Sequence, residues 1–315
     1  GSGPVRSPGL AGEARDHRQE SMASSSPIFR FAPSPNGRLH LGHAYSALMN
    51  ERLAARFGGE LLLRIEDIDL TRCRPEFEQG IRDDLAWLGV SFAPAVRRQS
   101  QYFDDYRRAL DRLEAMGLVY PCFCSRQEVK DVVRQREAET GTPWPRDPDG
   151  APLYPQTCRA LSETEARRRR EAGEPHVLRL AMDHALARMN GESLSYRLFD
   201  EMGEEREIAA GPAAWGDVVL ARKDVPTSYH LSVVVDDALQ GVSHVVRGSD
   251  LEAATGIHVL LQRLLGLAVP RYHFHRLLSD ETGQKLAKSR LSRSLADLRA
   301  DGTTPEAIRR QLGFT

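Results

Sequence analysis

The sequence predicts an α/β fold organised on a parallel sheet, with a smaller, partly antiparallel piece inserted and a short helical segment at the end. Three observations carry this. Ile28 to Ala32 is an apolar run of strand length, Pro33 to Gly37 is turn chemistry, and from Leu41 an apolar row repeats at i+4 through Tyr45, Met49, Leu53 and Phe57. That row stops at Gly58-Gly59, and Glu60 to Ile65 (ELLLRI) reads as a second buried strand, which makes the segment a βαβ unit. The same alternation of strand and helix resumes near Asp217, after a middle stretch of weaker periodicity. A Rossmann-like sheet of this kind offers a ligand crevice at the carboxyl ends of its strands.

Each element has its own sequence reason. Pro75 to Leu88 reads as a helix begun by proline and closed at Gly89, and Tyr102 to Met116 as another closed at Gly117. Leu118 to Tyr120 leads into Cys122-Phe-Cys124, and Gly141 to Pro155 holds five prolines, which marks an inserted loop or subdomain. Between His176 and Ile208, the runs VLRL and SLSYRLF predict a small antiparallel part. Asp217 to Ala221 is expected to resume the nucleotide-type sheet, followed by a helix over Tyr229 to Leu239 and a strand over Val242 to Arg247. Ser249-x-x-Glu252 has capping-box spacing before a helix with Ile257, Leu260, Leu261, Leu264 and Leu265 on one face, and Tyr272 to Leu278 is strand-like.

Composition narrows the function classes. With 315 residues, 41% hydrophobic and 28% charged, the chain can bury a sizeable core. Its net charge of −1 does not announce a nucleic-acid partner, so any RNA contact must rest on a local patch. No run of about 18 apolar residues suggests a transmembrane helix, and no membrane partner is expected. The first 21 residues lack the apolar core of a secretory signal, so residues 1–26 are expected to be a disordered tag or extension, with Met22 the natural start.

The turn at the start of the first helix decides the kind of site. A helix N-terminus favours phosphate, but Gly37-x4-Gly42 is followed by His43 and Ala44 where a phosphate loop needs Lys and Ser/Thr, and no G-x-G-x-x-G is present. His40-Leu41-Gly42-His43 instead places two imidazoles around a glycine, able to donate to phosphate oxygens. Near the other end, Lys285-Leu286-Ala287-Lys288-Ser289 adds two lysines in a short loop. Alone, each segment reads as surface histidines or a solvated basic loop. Together and in this order they resemble the class I aminoacyl-tRNA synthetases, HLGH looking like their HIGH motif and KLAKS like their KMSKS loop. Arg30-Phe-Ala-Pro-Ser-Pro and Arg64-Ile-Glu-Asp-Ile-Asp resemble the glutamate-specific branch. Two departures stand out. Ala287 replaces the usual serine, and the 26 residues 290–315 after the loop are too few for a separate anticodon-binding domain. The shortened form resembles the glutamyl-Q tRNA(Asp) synthetases.

The resemblance implies a division into a first catalytic half (27–120), an inserted subdomain with a zinc site (121–210), a second catalytic half (211–275) and a lysine loop with a short helical segment (276–315), without an anticodon-binding domain. An amino acid with an acidic side chain needs cations for its carboxylates and an acceptor for its ammonium, which Arg30, Arg247 and Glu66 supply. The resemblance assigns the glutamate site to the same residues together with Phe31, Ala32, Pro33, Ser34 and Tyr229. It assigns ATP to His40, Gly42, His43 and Lys288, and catalysis to His40, His43, Lys285 and Lys288, with Mg²⁺ accompanying ATP. Asp67 and Asp69 are metal candidates, although caps and turns are the commoner roles of such acids.

Four cysteines without a secretory signal point to thiols or metal ligands rather than disulfides. Cys122-x-Cys124 with Cys158 further on gives three thiolates where zinc wants four ligands, a weak pattern by itself. The resemblance supplies Tyr154 from Tyr154-x3-Cys158 as the fourth ligand of one structural Zn²⁺; His176 is a fallback, and Cys73 lies outside the set. Arg167 to Arg170 reads either as an RNA contact or as the solvated face of a helix. The expected activity is tRNA-independent activation of L-glutamate by ATP to glutamyl-adenylate, then transfer to the queuosine base in the anticodon of tRNA(Asp), by a cytoplasmic monomer. A minimal glutamate–tRNA ligase and a nucleotidylyltransferase-like enzyme with another acceptor are the competing readings.

Overall fold

The computed structural model describes residues 25–278 and 292–315. β1 (Ile28–Phe31), α1 (Leu41–Arg56) and β2 (Glu60–Ile65) form the expected unit, with the two strands parallel and Phe29 opposite Leu61. The chain leaves α1 through Gly58 at φ +65°, and a Cβ on the following Gly59 would lie 2.6 Å from the Pro27 carbonyl oxygen. This glycine pair therefore stops the helix and lets β2 start close against the residue before β1. α2 (Pro75–Leu88) has its proline in the first turn and a left-handed Gly89 at its end, as the sequence predicts. β3 (Arg97–Arg98) extends the sheet parallel to β2, and α3 (Phe103–Ala115) follows.

The other half is a second ladder. β9 (His244–Gly248) pairs in parallel with β10 (Arg271–His275), which pairs in parallel with β6 (Ser195–Phe199), and β7 (Glu205–Ala209) closes the edge antiparallel to β6. β9 follows α7 (Tyr229–Leu239). The two ladders meet where Ser243 N–H donates to the Ile28 carbonyl at 3.0 Å and Ile28 N–H donates to Ser243 Oγ at 2.8 Å. From this junction the strand order runs one way through β2 and the other through β10, so a crevice opens beside β1 and β9.

Three expectations are corrected. The run Asp217 to Ala221 does form a strand, β8 (Val219–Ala221), but it lies antiparallel to β5 (Val177–Leu180), which is itself antiparallel to β4 (Val119–Cys122). A short apolar run such as Val218 to Ala221 states burial and not which partner it finds. β6 is antiparallel to β7 as predicted, yet its other edge joins the parallel ladder. The Ser249-x-x-Glu252 box is not formed: Ser249–Leu251 is a 3₁₀ turn, and α8 (Thr255–Leu264) begins later without a side-chain cap. The Thr255 hydroxyl donates back to the Leu251 carbonyl and accepts from Arg247, so the first residue of α8 serves the arginine and not a cap.

Near the end of the chain, the helices Leu295–Ala300 and Pro305–Gln311 return to the first half, burying Leu295, Leu298, Ile308, Leu312 and Phe314 in the core shared with α1 and α2. Arg309 donates to the Leu88 carbonyl at 2.8 Å, capping the end of α2. The Pro-rich stretch is held by Trp144 Nε1–H to the Leu153 carbonyl (2.8 Å) and by Leu153 N–H to the Pro145 carbonyl (2.9 Å), a tertiary fold-back that delivers Tyr154 to the cysteines. No helix among the described residues is long and apolar enough to cross a membrane.

Candidate active site

The crevice holds a cavity of about 910 Å³. Every described residue predicted for amino-acid or ATP binding lines it: Arg30, Phe31, Ala32, Pro33, Ser34, His40, Gly42, His43, Glu66, Tyr229 and Arg247. Lys285 and Lys288 lie outside the described residues, but Leu278 and Ser292, on either side of that segment, both line the cavity. Local chain geometry explains the clustering. Arg30 to Ser34 and Glu66 leave the ends of β1 and β2, Arg247 is near the end of β9, Tyr229 begins α7, and His40 to His43 is the start of α1.

At that helix start, His40 N–H donates to His43 Nδ1 at 2.8 Å, so the neutral His43 ring carries its proton on Nε2. Burial and the neighbouring His40 hold the His43 pKa down at about 4. His40 Nδ1 in turn donates to the Arg293 carbonyl at 3.1 Å, tying the pair to the C-terminal segment. Open space surrounds the position a Cβ on Gly42 would take, which leaves room for a ligand against the first helical turn.

The arginines differ in what balances them. Arg30 is bidentate to Asp237, at 3.0 and 3.2 Å, and Asp237 also receives Arg64 at 2.6 Å. Asp236 accepts from Arg97, Gln99 and Tyr106, each at 2.8 Å. Burial opposes ionisation of Asp237, but Arg30 and Arg64 overcome it and hold its carboxyl below the usual range. Asp236 and Asp237 were not read as site residues. Two adjacent acids in the apolar run Leu231 to Leu239 could have revealed them, since buried carboxylates require partners.

Arg247 is placed otherwise. It is 5% exposed, and its donors go to Tyr229 Oη (3.3 Å), Thr255 Oγ1 (2.8 Å) and His258 Nδ1 (2.9 Å), all neutral acceptors. Glu66 has a side chain only 12% exposed, and burial raises its pKa to about 7 against the lowering effect of Arg64 and Arg30. The cavity thus combines a cation without a carboxylate partner among the described residues, a carboxylate poised to ionise near neutrality, and two imidazoles at a helix N-terminus.

The tRNA synthetases class I (E and Q), catalytic domain, as a family matches residues 28–315. The chain belongs to this family. A glutamyl-Q tRNA(Asp) synthetase of Rhodobacter capsulatus is 47% identical over 91% of the chain and 100% of that protein. A glutamate–tRNA ligase 2 of Nitrosococcus oceani is 39% identical over 89% of the chain and 57% of its own length. Among solved structures, a glutamate tRNA ligase from Elizabethkingia meningosepticum in complex with its amino acid superposes with TM-score 0.63 at 27% identity, over 80% of this chain and 50% of that one. The chain therefore spans about half the length of that structure.

In this class I synthetase domain, the remaining candidates fall into two groups. Cys122, Cys124 and Cys158 come together, their sulfurs all within 4.8 Å of one another. Tyr154 Oη is 3.1 Å from Cys122 Sγ and 3.5 Å from Cys124 Sγ. His176 is not in the cluster; its Nδ1 donates to the Glu174 carbonyl. Cys73 lies apart, 3.7 Å from Ser34 Oγ. Asp67 and Asp69 take cap and turn roles, Asp67 accepting from Ser100 and Asp69 from Thr71 and Arg72. On α5 (Glu163–Glu171), Arg168, Arg169 and Arg170 pair with Glu165, Glu174 and Glu114, and the helix buries no residue, so that run is a solvated, ion-paired face.

A pH dependence follows from Glu66. Only the ionised form could accept from the ammonium group of an amino acid, and below about 7 the carboxyl is protonated. Lowering the pH from 8 to 6 is expected to raise the KM for the amino acid about tenfold, and Glu66→Gln to flatten that profile while raising KM throughout. Between the ordinary carboxylate range and about 7 the folded state keeps a proton that the unfolded state has lost, so this group's contribution to stability declines as pH rises.

Proposed function

We propose that this protein activates L-glutamate with ATP and passes it to the queuosine base in the anticodon of tRNA(Asp). The observation that carries the first step is one cavity lined by Arg247, Glu66 and the His40–His43 helix start. In the reaction an oxygen of the glutamate α-carboxylate attacks the α-phosphorus of ATP. The bond to the β-phosphate breaks, giving glutamyl-adenylate and pyrophosphate. Arg247 pairs with the amino acid's side-chain carboxylate and Glu66 with its ammonium, while His40 and His43 meet phosphate oxygens. Lys285 and Lys288 are proposed to add positive charge there, and Mg²⁺ enters with ATP. The protein's part is positioning and charge stabilisation, with no side-chain nucleophile. An acceptor hydroxyl then attacks the glutamyl carbonyl, AMP leaves, and an ester remains.

The choice of acceptor is supported by relatives named glutamyl-Q tRNA(Asp) synthetase, at 47% and 39% identity. Its test uses queuosine-containing tRNA(Asp) lacking the 3′ terminal adenosine, incubated with ATP and labelled glutamate. Uptake of label is expected there, and none into tRNA(Asp) without queuosine. Charging of intact tRNA(Glu) with no label in the truncated tRNA(Asp) would instead identify a minimal glutamate–tRNA ligase.

The cysteine cluster suits a structural Zn²⁺. A tetrahedron with Zn–S of about 2.3 Å has S···S edges of about 3.8 Å and S···O edges of about 3.5 Å. The Cys124–Cys158 sulfur separation of 3.5 Å and the Tyr154 hydroxyl distances of 3.1 and 3.5 Å are close to those edges. Freshly purified protein is expected to contain about one zinc per chain by metal analysis, and Cys124→Ser to lose it and loosen the insertion. Protein purified without chelator and free of zinc would refute the site and leave the catalytic reading intact.

A further inference from the structure

Arg30, Arg64, Arg97 and Arg247 do not share one electrostatic state. Arg30 and Arg64 share Asp237, and Arg97 has Asp236 and Asp105. Among the described residues, Arg247 is bound to hydroxyls and a histidine with no carboxylate partner, and its Nε is buried without a hydrogen-bond partner. A buried guanidinium without a counter-ion is costly, so a protein that retains one leaves a strong demand for an anion at that point.

His258 is the group that maintains this state. It is 1% exposed, on α8 beneath Arg247, with its Nδ1 2.9 Å from Arg247 Nη2 and its Nε2 3.0 Å from His230 Nδ1. A guanidinium only donates, so His258 Nδ1 must accept, and its proton lies on Nε2, which donates to His230. Burial first, and then the positive charge of Arg247, keeps His258 well below its ordinary pKa and therefore neutral. Thr255 Oγ1, one turn earlier on the same helix, is the second neutral acceptor.

We propose that His258 is a positioning residue that sets amino-acid specificity, orienting Arg247 through a neutral acceptor so that its charge is left for the substrate's side-chain carboxylate. This rests on the glutamate-activating reading above. An acidic residue in the same place would orient Arg247 equally well but supply the counter-ion internally, and the cavity would lose its reason to prefer glutamate over glutamine. The sequence offers no trace of this, because His258 sits in an apolar helix where a core histidine is the ordinary reading.

The test compares His258→Asn with His258→Asp, which have the same shape and differ in charge. ATP–pyrophosphate exchange is measured with glutamate and with glutamine, and KM and kcat are obtained for the amino acid and for ATP. H258N is expected to keep most of the glutamate preference, whereas H258D loses about ten- to a hundredfold of it through the glutamate KM, with the KM for ATP little affected. Equal preferences in the two variants, or parallel changes in kcat and both KM values, would overturn the proposal. Should H258D not fold, His258→Leu replaces it. Leu leaves Arg247 Nη2 without this acceptor and should raise the glutamate KM, with Asn restoring it, and failure of Asn to do so also overturns the proposal. Absence of glutamate-dependent exchange in the unsubstituted protein removes the underlying activity itself, whereas exchange with equal variants removes only the role of His258.

Discussion

Arg247→Ala is expected to reduce glutamate-dependent ATP–pyrophosphate exchange by about 2–4 kcal/mol, on the order of 10²–10³-fold, measured as kcat/KM for glutamate. Among the described residues the guanidinium has only neutral partners, so under the proposed function the substrate carboxylate is its counter-ion, and removal takes away a desolvated, charge-assisted contact. Arg247→Lys should recover little, since an ammonium cannot reproduce the fork that meets Tyr229, Thr255 and His258 together. The stability effect should have the opposite sign. Arg247→Met removes a buried cation with no carboxylate partner among the described residues, so its Tm is expected to equal or exceed that of the parent. Exchange surviving in Arg247→Ala at near-parent efficiency would mean that the side-chain carboxylate binds elsewhere.

Asp237→Ala should act on stability far more strongly. Its carboxylate is bidentate to Arg30 and also accepts from Arg64, and these arginines are 4% and 0% exposed. Removing it leaves two buried guanidinium groups with reduced compensation, at a cost of about 3–5 kcal/mol. For a chain of this size that lowers Tm by roughly 5–8 °C, which thermal and denaturant unfolding can both measure. A fall of less than about 1 kcal/mol would show that Asp236 and Glu66 take over the charge. The contrast between Arg247 and Asp237 would separate two kinds of buried charge beside one cavity: under the proposed function one is kept for a ligand, and the other is satisfied within the fold.

Much of the site was legible because its residues sit at chain-local landmarks. Arg30 to Ser34 follow a strand, Glu66 follows the next, and His40 to His43 open the helix between them. Once the βαβ pattern was recognised, the geometry of a parallel sheet placed all of them at one crevice. The cysteine cluster was less legible: C-x-C and a distant third cysteine fix no geometry, and only the folded Pro-rich stretch brings Tyr154 beside two sulfurs. Asp236 and Asp237 were missed because periodicity shows that a helix is buried without showing what its polar residues meet.

The sequence by itself determined the first strand, helix and strand, the ends of α2 at Pro75 and Gly89, and the extent of α7. Those features depend on backbone propensity, glycine and proline positions and apolar spacing, which act over a few residues. Tertiary structure alone decided that Val219–Ala221 joins the antiparallel sheet, that Arg30 is neutralised by Asp237 across 207 positions of chain, and that Arg247 is left with neutral partners. Each of these is a pairing between segments distant in sequence, settled by which buried groups can satisfy one another once the core has closed, and no local pattern encodes that outcome.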